Sequence, residues 1–121
     1  MLLDTHVLLW WLGDLPQLCE PMRARIASAT SVSVSAASLF EIETKRRIGK
    51  LQAPADVLAA VRADGFVPLP LSPAAAAEAG ALDWEHRDPF DRLLVAHARE
   101  LGVTLLTADR RILAYEPLAI G

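Results

Sequence analysis

The sequence predicts a single α/β domain with a mainly parallel central sheet of about four to five strands flanked by helices. Three observations carry that expectation. Short apolar or β-branched runs alternate with longer helical stretches along the whole chain, and no repeat or linker interrupts them. The length, 121 residues, suits one domain rather than two. Hydrophobic residues make up 53% of the chain, too many for disorder and enough for a core without disulfides.

Met1 to Asp4 reads as a clipped strand, with Asp4 or Thr5 capping a helix through His6 to Leu12. Gly13-Asp14-Leu15-Pro16 breaks that helix, and Glu20 to Ala29 reads as the next. Thr30 to Ser35 alternates at period two and is β-branched, which makes it the second strand. Ser38-Leu39-Phe40-Glu41 has the Ser-x-x-Glu form of a capping box, opening a helix that ends near Gly49. This places Glu41 in a first turn. Pro54 to Ala63 is helical and closes at Asp64-Gly65. Phe66 to Leu71 is extended but carries two prolines, which confine it to a sheet edge. Pro73 to Leu82 is an alanine-rich helix, whose run Ala74 to Ala77 suits close helix packing. Asp88-Pro89-Phe90-Asp91 opens a long helix to Leu101, stopped by Gly102. Val103 to Thr107 is the clearest strand, and a short helix over Asp109 to Ala114 and a strand over Leu118 to Ile120 follow.

Composition narrows the function. Twelve Lys and Arg against 15 Asp and Glu give a net charge of -3, which excludes a uniformly basic nucleic-acid-coating protein but not a local basic surface. Cys19 is the single cysteine, so a disulfide framework is excluded and a reducing compartment fits. Asp4 falls where a signal peptide would carry positive charge, and the apolar run Val7 to Leu12 is far too short to span a bilayer. A soluble, cytoplasmic protein with no membrane partner is expected.

Five acids occupy positions that point to chemistry. Asp4 ends the first strand, Asp109 follows the strand ending at Thr107, Asp88 and Asp91 open the long helix, and Glu41 opens the helix after the second strand. In a parallel sheet, strand carboxyl ends and the helix starts that follow them share one edge, so all five are candidates for one crevice. Taken singly, Asp88, Asp91, Glu41 and Asp109 also suit plain helix starts. Asp4, between apolar runs, is harder to explain as a cap. Two like charges about 4 Å apart repel by roughly 4 kcal/mol at an effective dielectric of 20, so such a cluster needs protonation or a cation. Hard oxygen donors without a His/Cys cage favour Mg²⁺ or Mn²⁺, and the matching reaction is phosphodiester hydrolysis.

Four blocks of the sequence resemble the PIN-domain family, specifically its VapC-type toxin ribonucleases. They are Leu2-Leu3-Asp4-Thr5-His6-Val7-Leu8-Leu9-Trp10-Trp11; Ser35-Ala36-Ala37-Ser38-Leu39-Phe40-Glu41-Ile42 with Lys45 and Gly49-Lys50-Leu51; Asp88-Pro89-Phe90-Asp91-Arg92-Leu93-Leu94-Val95-Ala96-His97-Ala98; and Leu105-Leu106-Thr107-Ala108-Asp109. The resemblance implies a catalytic quartet of Asp4, Glu41, Asp91 and Asp109. Asp4 and Asp91 are implied as principal Mg²⁺ or Mn²⁺ ligands, with Asp109 and Glu41 acting directly or through water. Thr107 would supply a hydroxyl, and Asp88 is an additional acid. It implies an endoribonuclease that acts as the toxin of a toxin–antitoxin pair, with an antitoxin partner and a homodimeric form. Phe40 stands where many relatives carry Trp, and His97 where many carry Gln. Both look like packing changes, and His6 and His97 are expected to be structural.

Nine of the 12 cations lie beside the acid motifs, which suits a polyanionic substrate; Lys45, Arg46 and Arg92 are the expected RNA contacts. Surplus apolar surface is expected near Trp10, Trp11, Leu12 and Leu15-Pro16, a further reason to expect a dimer. Competing readings are weaker. A phosphatase with Asp4 as nucleophile wants an acid where His6 stands, and a receiver domain wants a Lys where none occurs beyond Lys50. A catalytically silent PIN-like RNA- or protein-binding module would be favoured by loss of a quartet acid, and none is lost.

Overall fold

The computed structural model describes residues 1–121. The elements run β1 (Leu2–Leu3), α1 (Thr5–Leu12), α2 (Glu20–Ser28), β2 (Ser33–Ser35), α3 (Ala36–Arg47), α4 (Val57–Ala63), β3 (Val67–Leu69), α5 (Pro73–Ala81), α6 (Pro89–Leu101), β4 (Leu105–Leu106), α7 (Arg110–Tyr115) and β5 (Ala119–Ile120). The five strands are ordered β3-β2-β1-β4-β5, and every pairing is parallel. The expected edge strand with its prolines is β3, where Pro68 lies opposite Val34 at the rim of the sheet.

Two cores follow from strand alternation. Successive residues of a strand face opposite sides. Leu3 and Leu106 join the larger cluster with Val7, Leu8, Met22, Ile26 and Val61. Leu2 and Leu105 join the smaller one with Leu94, Val95, Ala98 and Ile112. All four strand leucines are fully buried, each contributing roughly 1.5–3 kcal/mol of transfer free energy. Helices on both faces thus hold a sheet whose central strands are only two residues long.

Several boundaries differ from the sequence reading. The second strand loses Thr30 to Val32, and β4 shrinks to Leu105–Leu106 because only that stretch pairs with both neighbours. Ser35, not Ser38, caps α3: its Oγ accepts the Ala37 N–H at 3.1 Å. Ser38 is instead buried and bonded to Thr5 Oγ1 at 2.9 Å, so Glu41 lies in the second turn rather than the first. The long helix ends as expected, with Gly102 in the left-handed region at φ 65°. The tryptophans of α1 are half-buried. Trp11 packs on Phe66 and donates to Asp64 Oδ2 at 2.9 Å, which removes much of the apolar surplus expected there.

The connectivity decides where a site forms. From β1 the chain moves through β2 and β3 to one side, then returns to place β4 on the other side of β1. The strand order therefore reverses between β1 and β4, and the crevice beyond their carboxyl ends is the expected ligand position in an open parallel sheet. Asp4 leaves β1 at that point and Thr107 leaves β4.

Candidate metal centre

Asp4 is held at the switch point by both chain and side chain. Its backbone N–H donates to the Leu106 carbonyl at 2.9 Å, and its Oδ2 accepts the Thr107 hydroxyl at 2.7 Å. The carboxylate is buried, with 4% of the residue exposed, and no cation bonds to it. Thr107 Oγ1 also accepts the Asp109 N–H at 3.0 Å, so one hydroxyl ties β1 to the start of α7. Asp109 caps α7 through Oδ1, which accepts the Arg111 N–H at 2.8 Å. Thr107 therefore bridges two of the acids.

The α6 acids approach from the other side. Asp88 is the N-cap, its Oδ1 accepting from the N–H groups of Phe90 at 2.8 Å and Asp91 at 3.1 Å. Asp91 lies within the first turn, with Oδ2 2.6 Å from His86 Nε2. His86, Asp88 and Asp91 place one potential ligand atom each within 4.8 Å of one another. Glu41 is buried on α3 and accepts from Lys45 Nζ at 2.6 Å.

Charge effects bind these groups into one cluster. Burial pushes the Asp4 carboxyl up from the ordinary value; the Thr107 hydrogen bond, the nearby His6 and the Thr5 backbone oppose the rise, and the neighbouring Glu41 charge adds to it least. Burial likewise raises Asp91 to about 6, against its bond to His86, and the charges of Asp88, Asp4 and Asp109 push in the same upward direction. Lys45 is raised first by its hydrogen bond to Glu41, then by the charges of Glu41, Asp88 and Asp91. All five acids singled out from the sequence are thus electrostatic neighbours.

That arrangement fits a hard divalent cation. Carboxylates and a threonine hydroxyl are oxygen donors of the kind Mg²⁺ and Mn²⁺ take. Lys45 is engaged by Glu41, Asp91 meets His86 and Asp109 has a long contact to Arg111, which leaves Asp4 and Asp88 without an ion-pair partner.

The family model for the PIN domain matches residues 1–116. The chain belongs to the PIN-domain family. A curated relative, Ribonuclease VapC22 of Mycobacterium tuberculosis (strain ATCC 25618 / H37Rv), is 34% identical over 115 residues, spanning 93% of this chain and 88% of that protein. Among solved structures, a toxin–antitoxin complex from Klebsiella pneumoniae superposes at TM-score 0.72 with 18% identity, covering 99% of this PIN domain and 95% of that chain. DNA-bound VapBC from Salmonella typhimurium gives TM-score 0.69 with 22% identity, over 98% and 92% of the two chains. At those identities the structures establish the fold.

Two of the three expected RNA contacts are used by this PIN domain for its own architecture. Arg92 donates to the carbonyls of Ala79 at 2.8 Å, Gly80 at 3.3 Å, Leu82 at 2.8 Å, Trp84 at 2.8 Å and His86 at 3.1 Å. It is the clamp of the loop between α5 and α6, and every guanidinium nitrogen is committed. Arg46 donates to the carbonyls of Ala53 at 3.0 Å and Pro54 at 2.7 Å and pairs with Glu43 at 3.1 Å, which ties the end of α3 to the following loop. Lys45 is bound to Glu41 at the rim of the acid cluster. His97 is buried against Ser35 Oγ at 2.8 Å, its imidazole lowered by burial, which suits a packing role, while His6 is exposed on α1.

His86 is the site residue that sequence reasoning missed. Its only sequence signal was a histidine two residues before Asp88. The contact to Asp91 depends on how the loop enters α6, which no helical or strand periodicity encodes.

Proposed function

We propose that this protein is a Mg²⁺- or Mn²⁺-dependent endoribonuclease acting as the toxin of a toxin–antitoxin pair. The observation that carries the reading is the buried Asp4 at the β1/β4 switch point, bonded to Thr107, with Glu41 and Asp91 as charged neighbours and no salt-bridge partner. Membership of the PIN-domain family and the 34% identity to Ribonuclease VapC22 support the choice of RNA as substrate. The toxin–antitoxin complexes among the solved structures support a protein antitoxin as partner.

Asp4, Asp91 and Asp109 would hold the cation, which when bound supplies Lewis-acid polarisation of the phosphate and lowers the pKa of water. Thr107 fixes Asp4 by donating to Oδ2, leaving Oδ1 toward other partners. His86 fixes Asp91 through Oδ2 in the same way. Glu41, with Oε2 engaged by Lys45, offers Oε1 as acceptor for a proton from the attacking water. Water oxygen bonds to phosphorus while the bond to the 3′ oxygen breaks and that oxygen takes a proton from solvent, giving a 5′-phosphate and a 3′-hydroxyl.

No helix is long and apolar enough to cross a membrane, and a cytoplasmic location belongs to the same proposal. So does a homodimer, for which Phe40 at 65% and Ile48 at 61% exposure on and beside α3 supply apolar surface. A monodisperse monomer at tens of micromolar in light scattering would remove the dimer. The test of the activity is cleavage of mixed cellular RNA by the purified protein. Cutting should require Mg²⁺ or Mn²⁺ and stop in excess EDTA; undiminished cutting in EDTA contradicts the mechanism.

A further inference from the structure

We propose that the cleft between the Trp84–Arg87 segment and α7 is a subsite for the RNA backbone, in which Arg87 and Arg111 take a phosphate flanking the one that is cut. The proposal rests on the nuclease reading above and adds the path of the strand. The cleft has a volume of about 590 Å³ and is lined by Trp84, Glu85, His86, Arg87, Arg111 and Tyr115, with Ala114. That size is ordinary for a ligand site.

Its position is what selects it. Two lining residues touch acids of the cluster: His86 Nε2 lies 2.6 Å from Asp91 Oδ2, and Arg111 Nε lies 3.9 Å from Asp109 Oδ1. The cleft and the acid cluster therefore share a wall, and a strand with its scissile phosphate at the acids passes this opening. The arginines differ from Arg92 in being available. The Arg111 side chain is 67% exposed and has only that long contact, while Arg87 is exposed and pairs with no acid. Two guanidiniums face one lining carboxylate, Glu85, so the balance favours an anion.

The aromatic residues fix the wall rather than bind bases. Trp84 stacks on Tyr115 at 4.5 Å and 4°, meets His86 edge-on at 4.8 Å, and Arg99 lies 5.4 Å from the Tyr115 ring centre. The rings are engaged with one another. Recognition here is thus of phosphate, which positions a strand without reading its sequence.

The test measures binding of two short single-stranded RNA oligonucleotides of unrelated sequence to the Asp4→Asn protein, across a salt series. Adding Arg87→Gln with Arg111→Gln should weaken both oligonucleotides about tenfold and flatten the slope of log affinity against log salt, by roughly 0.7 for each phosphate no longer neutralised. Adding Arg25→Gln with Arg62→Gln removes the same charge elsewhere and should change affinity less than about twofold. Unchanged affinity and slope in the Arg87/Arg111 variant overturns the subsite, as does an equal loss in the remote variant or a loss confined to one sequence. Because the readout is binding, the two readings separate. Cleavage by the wild type with Arg-independent binding removes the subsite alone. Arg-dependent binding without any cleavage by the wild type removes the nuclease reading and with it the flanking-phosphate assignment, leaving an RNA-backbone contact only.

Discussion

Asp4 and Glu116 are both buried carboxylates, at 4% and 3% exposure, and each lies at the end of a secondary-structure element, Asp4 after β1 and Glu116 after α7. Glu116 is fully partnered: Arg99 Nε lies 2.5 Å from its Oε2, and its Oε1 accepts the Leu118 N–H at 3.1 Å. Asp4 has a hydroxyl for a partner, and further acids as neighbours. Burial of an acid therefore does not by itself mark a functional site. A buried acid whose counter-charge is missing does, because the fold carries a cost that only a proton or a cation relieves.

The largest effect that separates the two regions is on catalysis. Asp4→Asn or Asp91→Asn should each lower RNA cleavage by at least about 100-fold with an unchanged far-UV spectrum, since ligand loss exceeds the effect usual for supporting residues. Glu116→Gln should leave turnover within about threefold at a temperature where it is folded. Equal losses in a cleavage assay would erase the distinction.

Stability should respond in the reverse order. Arg99→Met strands Glu116 as a buried unpaired acid and should cost about 3 kcal/mol, a fall of roughly 10 °C in melting temperature. Arg92→Ala, which frees five carbonyls of the α5–α6 loop, should cost about 2–4 kcal/mol, and Arg92→Lys should not restore it, because a single ammonium cannot serve a planar fork of acceptors. A melting temperature for Arg92→Ala within a degree of wild type would contradict the clamp and leave that guanidinium free for RNA.

The smallest effect is a pH profile. Burial raises Asp4 and Asp91, the latter to about 6, so between the ordinary carboxylate value and that value the native metal-free protein holds more protons than the unfolded chain. Stability should therefore fall as pH climbs from about 4 to about 6 and level off above. His97, lowered by burial, acts in the opposite sense, losing stability as pH falls through 6.5. Subtracting the profile of Asp91→Asn cancels the histidine and isolates the acid. A flat difference across this range in urea melts would show that Asp91 is not raised.

Much of the fold was legible in the sequence, and the failures have physical causes. Strand and helix order followed from alternation and from Gly102 and the prolines, because these act locally. The α3 cap was misplaced by three residues because Ser35 and Ser38 offer the same hydroxyl, and only the tertiary contact to Thr5 buries the second. The acids were legible as a group, since strand ends and helix starts of a parallel sheet share an edge. The arginines were not: Arg92 and Arg111 both sit beside acid motifs, yet one is spent on loop carbonyls and the other is open. Nothing local distinguishes them. His86 and the Trp84–Tyr115 stack were invisible for the same reason, as their geometry is fixed by a loop and by pairing across distant segments.

The central claim, that the acids at the β1/β4 switch point form a divalent-cation site, is tested most directly by thermal melting at pH 7 with EDTA and with Mn²⁺, in wild type and Asp4→Asn. A cation at 100 times its dissociation constant stabilises the native state by roughly 2.7 kcal/mol, so wild type should gain several degrees with Mn²⁺. Asp4→Asn should melt higher than wild type in EDTA and respond far less to Mn²⁺. A wild type indifferent to saturating Mn²⁺, together with an Asp4→Asn protein that melts lower in EDTA, would make these acids structural caps and contradict the cation site.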